Sequence, residues 1–163
     1  MRRPPPDAQR WSLRVDPSSS LEPWREAARE ALLRDVAPPQ LDWIEGSEVS
    51  LLDAPAVQLA PMPADAAAPS VPRDFLDLAA TCLCHRDPQR LALLYRLLWR
   101  IPHGERSVLT NPAAADALRA NALAQAVRRD THKMKAFVRF RELPGHPDAF
   151  IAWFEPQHHI VAR

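Results

Sequence analysis

The apolar residues of this chain recur at helical spacing in four stretches and alternate at strand spacing in several shorter ones. From Leu21 to Asp35, Trp24, Ala28, Ala31 and Leu32 fall on one helical face. Ser20 supplies an N-cap, and Pro23 is tolerated because first-turn amides have no intrahelical acceptor. Pro38 and Pro39 are expected to stop this helix. Phe75, Leu78, Ala79 and Cys82 share the face of the next helix, and Pro88 opens a further one in which Leu91, Leu94, Tyr95 and Leu98 do the same. Asn111 followed by Pro112 places an N-cap before a proline at the first helical position. It starts the longest helix, which is predicted to run to about Met134.

Strand spacing appears in RWSLRVD, in LDWIE and EVSLL, and again in AFVRFRE and AFIAWFEP near the C-terminus. The last two runs predict strands at about 136–142 and 149–155, joined as a hairpin through Leu143-Pro-Gly-His-Pro, where Gly145 is free to take the turn conformation. The fold class is therefore α+β, with an antiparallel sheet that includes this C-terminal hairpin, packed against several helices. Residues 1–10 read as a disordered lead and 11–163 as a single domain. Within it, the Pro- and Ala-rich stretch 53–72 has no period of either kind and is read as an extended surface connection.

Composition narrows the functional classes. A chain of 163 residues fits one domain that buries roughly two-thirds of its unfolded surface. Its 21 Lys+Arg against 20 Asp+Glu give a net charge of +1, so bulk charge steers it to neither nucleic acid nor membrane, and a nucleic-acid role requires a local patch. Two cysteines, no long apolar run and no secretory pattern after Met1 point to a reducing cytoplasm, with no membrane partner. With 3 Gly against 18 Pro and no matching motif, Gly-rich phosphate loops are excluded.

A local patch is present. Arg128, Arg129, Lys133, Lys135, Arg139 and Arg141 lie within fourteen residues, where helical spacing gives way to strand spacing. Arg129 and Lys133 are four apart on the helical end. On the following strand, Arg139 and Arg141 share one face and Val138 and Phe140 the other, so burial of the apolar pair would leave the arginines outward. Such an arrangement positions phosphates with little sequence specificity; the alternative is a solvated face balanced by Asp130 and Glu142.

A catalytic alternative rests on Glu155, His158 and His159. Pro156 suits the first position of a helix, which would place Glu155 near its N-cap and His158 about one turn later, compatible with an acid/base pair or a shared metal. Adjacent helical residues diverge by about 100°, so at most one of the two histidines would face that carboxylate. The bland reading is that Glu155 complements the helix dipole while the histidines form a solvated edge and a packed ring. An enzyme built here would be of hydrolase type, with Lys133 or Arg139 as charge stabiliser, and no Ser/His/Asp order or nucleophile elbow accompanies it. Cys82-Leu83-Cys84-His85 lacks the second ligand pair of a zinc module and the spacing of haem attachment, and is read as core packing. No metal or cofactor is expected.

The segments DFLDLAATCLCHRDPQRLALLYRLLWRI, AVRRDTHKMKAFVRFRE and FIAWFEPQHHIV resemble a bacterial domain of unknown mechanism. That domain occurs fused ahead of a uracil-DNA glycosylase-like domain or encoded beside a radical-SAM protein. The resemblance covers most of residues 11 to 161. It implies a role in DNA metabolism or repair, with DNA and a glycosylase-like or radical-SAM protein as partners, and it tips the basic cluster towards nucleic acid. The glycosylase motifs of the fused relatives would lie in a domain outside this chain, so uracil excision is not expected of it. Relatives continue past the HHIV segment, which implies that the chain is incomplete at its C-terminus.

Overall fold

The computed structural model describes residues 10–15, 20–46, 70–146 and 148–160. The expected lead before residue 10, the strand expected at EVSLL and most of the 53–72 connection lie outside the described residues.

Strand β1 (Trp11–Val15) leads through helix α1 (Leu21–Leu33) to strand β2 (Leu41–Glu45), and the two strands pair in parallel from Trp11↔Leu41 to Val15↔Glu45. A parallel pair needs a crossover, and α1 provides it. Its buried residues are the predicted Trp24, Ala28, Ala31 and Leu32. The two prolines do not end α1. Asp35 adopts a left-handed φ of 56°, its N–H donates to the Leu32 carbonyl and the Val36 N–H to that of Ala31, which closes the helix one turn earlier. Pro38–Gln40 then form a 3₁₀ turn into β2.

Helices α2 (Arg73–Cys82), α3 (Arg90–Arg100) and α4 (Ala115–Phe137) complete the body, and both α2 and α3 pack on α4. The predicted face of α2 is the buried one, and α3 buries Leu93 and Leu97 beside its predicted stripe. Trp24 stacks on Trp43 and contacts Phe75, and Trp43 meets Tyr95, whose hydroxyl donates to the Val36 carbonyl at 2.6 Å. Buried Arg90 donates to the Leu83 and Asp87 carbonyls and to both carboxylate oxygens of Glu45, tying β2 to the α2–α3 connection. No described helix is long and apolar enough to cross a membrane.

α4 begins at Ala115 rather than Pro112, since the Asn111 side chain turns back to accept from the Ala113 N–H. At its other end it continues through Phe137, because Met134, Lys135 and Ala136 are good helix formers. The hairpin is correspondingly shorter than 136–142 and 149–155: strands β3 (Arg141–Glu142) and β4 (Phe150–Ile151) pair antiparallel. Its turn follows the expectation, with Gly145 at φ +81° and the His146 N–H donating to the Leu143 carbonyl at 3.1 Å. The architecture is α+β, with one parallel and one antiparallel two-stranded sheet among the described residues.

Candidate functional site

Helix α4 buries Ala117, Ala120, Ala124, Val127 and Asp130 along one stripe. Arg128, Arg129 and Lys133 consequently project into solvent, and Lys135 sits in the last turn at the negative end of the helix dipole. Arg139 and Arg141 are also exposed. Opposed residues of an antiparallel pair share a face, so the pairings Arg141↔Ile151 and Glu142↔Phe150 send Arg141 and Glu142 to opposite sides. On the arginine side, Phe137, Arg139, Arg141, Ile151, Ala152 and Trp153 line an open groove of about 480 Å³.

None of these six cations has an ion-pair partner among the described residues, whereas Arg25, Arg96, Arg100 and Arg119 pair with Glu22, Asp116, Glu105 and Asp87. The reading of a face balanced by Asp130 and Glu142 therefore lacks its direct pairs. Asp130 is only 5% exposed and accepts the His158 N–H at 2.9 Å, and Glu142 belongs to the other side of the hairpin. The burial expected of Val138 and Phe140 needs correction. Val138 is half-buried, but Phe140 is 70% exposed, as is Phe150 to a similar degree, so that side of the hairpin joins no core among the described residues. The arginines point outward without an apolar anchor beneath them.

Beyond the hairpin, the helix expected at Pro156 does not form; residues 157–159 make a bend. The Pro156 carbonyl accepts from Arg86 at 3.2 Å, and the His158 carbonyl accepts the Ile160 N–H at 2.9 Å in a tight turn. The His159 N–H donates to the Cys84 carbonyl at 2.8 Å, and Ile160 is buried with Cys84 and Val127. The segment is thus clasped to the α2–α3 connection and to α4. Glu155 and His159 are exposed, while His158 is half-buried with its ring 4.2 Å from that of His85. His158 joins Ala126, Arg129, Asp130, Lys133 and Gln157 around a recess of about 320 Å³ that neither Glu155 nor His159 lines.

Both of these neighbouring rings are biased to the neutral form. Burial, then the neighbouring His158, holds the His85 pKa below its usual value against the opposing pull of Asp87. Burial likewise lowers that of His158, against Asp130 and assisted by Arg86 and His159. The His85 Nδ1 accepts the Asp87 N–H at 2.9 Å, which leaves the neutral ring's proton on Nε2. The Cys82 thiol donates to the Ala120 carbonyl at 3.1 Å, and burial pushes its pKa up to about 12, so it is a packing group and not a nucleophile. Among the described residues, no three His, Cys, Asp or Glu side chains converge with metal-ligand geometry.

His85, Arg86 and Asp130 take part in the clasp and were not anticipated. Asp130 had a visible signal, since it extends the Ala117, Ala120, Ala124, Val127 spacing by three residues. His85 and Arg86 had none, because their partners lie about 70 positions away. No curated protein and no solved structure matches the chain. Residues 88–163, which hold α3, α4, the hairpin and the C-terminal segment of the clasp, match a family model described as a domain of unknown function, DUF4130.

Proposed function

We propose that this chain is a non-catalytic accessory domain of DNA metabolism or repair that binds nucleic acid through the end of α4 and the adjoining hairpin. The observation that carries this reading is the set of six exposed cations, Arg128, Arg129, Lys133, Lys135, Arg139 and Arg141, without ion-pair partners among the described residues. Cations held on a helix end and a hairpin face offer their charge to phosphates, and the release of counterions from the polyanion favours binding. The test is a salt-dependent titration of the unmodified chain and of a variant with Arg129, Lys133, Arg139 and Arg141 replaced by Gln. Weaker binding with a flatter salt dependence in the variant supports the proposal; identical behaviour of the two proteins contradicts it.

Docking of a uracil-DNA glycosylase-like or radical-SAM partner is the second reading. It is favoured by the exposed Phe140, Phe150 and Ile151 on the hairpin. A hydrolase centred on Glu155 with His158 or His159 is less well supported, because His158 faces a recess lined by Arg129, Lys133 and Gln157 and not by that carboxylate. Glu155→Gln separates the two classes: binding stays intact or improves if the domain is an accessory, and an activity is abolished if it is an enzyme.

A further inference from the structure

We propose that the groove between the end of α4 and the hairpin is a stacking platform for single-stranded nucleic acid, in which Trp153 and Phe137 receive bases while Arg139 and Arg141 hold the flanking phosphates. This rests on the nucleic-acid reading above and adds the substrate class. Trp153 is 87% exposed and Phe137 67%, and both line the same groove as the two arginines. With Ile151 they gather exposed apolar surface in one place, and contiguous exposed apolar surface rimmed by polar groups marks interaction sites.

Arg141 opposes Ile151, which puts both on the groove side and turns Glu142 away. Arg139 and Trp153 lie just outside the two paired strands and line the same groove. Phe137 is the final residue of α4 and closes the groove from the helix side. The Arg139 guanidinium donates one N–H to the Ala136 carbonyl at 3.2 Å, which holds it at the helix end. The groove thus combines two π faces with two cations that have no carboxylate partner among the described residues. A duplex offers such a site its phosphates but hides its base faces in the stack. A single strand offers both, and the aromatic contribution tolerates any base because each has a π face. An acidic protein surface would satisfy the arginines but supply no base faces for Trp153 and Phe137.

The experiment is fluorescence anisotropy with three labelled probes: an oligothymidylate of about 12 nucleotides, an abasic strand with the same phosphate spacing, and a duplex of equal length. Oligothymidylate is expected to bind roughly tenfold or more tightly than the abasic strand and the duplex. Trp153→Ala is expected to weaken oligothymidylate binding by roughly 5- to 150-fold and leave abasic binding unchanged, while Trp153→Phe retains most of the affinity. Equal affinity for thymidylate and abasic strands, with Trp153→Ala inert, would overturn stacking and leave phosphate binding standing. Loss of abasic binding in Trp153→Ala would also overturn it, by making Trp153 structural. Absence of salt-sensitive binding to all three probes would remove both proposals and leave the protein-docking reading.

Discussion

Replacing Asp130 with Ala is predicted to release the C-terminal segment without unfolding the helices that carry it. The buried Asp130 carboxylate accepts the His158 N–H at 2.9 Å, one of three polar ties among the described residues that hold residues 156–159 to the body. A hydrogen bond to a charged group contributes about 1.5–3 kcal/mol, and the substitution recovers up to about 0.7 kcal/mol in helix propensity. The net local loss is roughly 1–2.5 kcal/mol. Since each 1.4 kcal/mol or so is tenfold, amide exchange at His158 and His159 should accelerate roughly 5- to 60-fold. Amides of Leu78 in α2 and Leu94 in α3 should keep their protection, because Asp130 makes no described hydrogen bond to either helix. Asp130→Asn retains an acceptor without the charge and should fall between the two. Hydrogen exchange resolved by residue decides the matter. Unchanged exchange at His158 and His159 would show that the bond contributes nothing, and loss of protection throughout α2 and α3 would show that Asp130 holds the core instead of the clasp.

Two further predictions concern stability. Both His85 and His158 have folded pKa values below the ordinary 6.5, so the unfolded chain binds more protons just below that pH. Their contribution is complete above about pH 6.5 and is lost as pH falls through the lowered folded values. Melting temperature should therefore drop over that window, and a His85→Gln, His158→Gln double variant should flatten the drop. Arg90→Met removes a buried cation from Glu45 and from the Leu83 carbonyl, and is expected to cost about 3 kcal/mol, or about 6–12 °C in melting temperature. Glu45→Gln should cost less, because that carboxylate is partly open to solvent and rehydrates; equal effects would contradict the assigned burial.

The helices were legible from spacing because their stripes read directly as burial: Trp24, Ala28, Ala31 and Leu32 on α1, and Phe75, Leu78, Ala79 and Cys82 on α2. Helix ends were less so. α1 ends at the left-handed Asp35 before its prolines act, and α4 runs past Met134 to Phe137 on local helix propensity. The hairpin turn was written in Pro144-Gly145, but Phe140 was read as core because alternation reports which residues share a side and not whether anything covers that side. The basic cluster was visible as composition. That its cations lack partners depends on Asp130 being buried under His158, which requires the tertiary fold. The helix expected at Pro156 failed for the same reason: ties to Arg86, Asp130 and Cys84 shape that segment, and none is local in sequence.

The most direct measurement is the slope of log affinity against log salt for an unmodified chain and a single-stranded oligonucleotide. Each phosphate neutralised on a single strand contributes about −0.7, so contact through four to six of the exposed cations predicts a slope of about −3 to −4. In the variant lacking Arg129, Lys133, Arg139 and Arg141, the slope should shrink by about 3 and the affinity should fall with it. A slope near zero for the unmodified chain, or the same slope in both proteins, would contradict the assignment of this surface to nucleic acid.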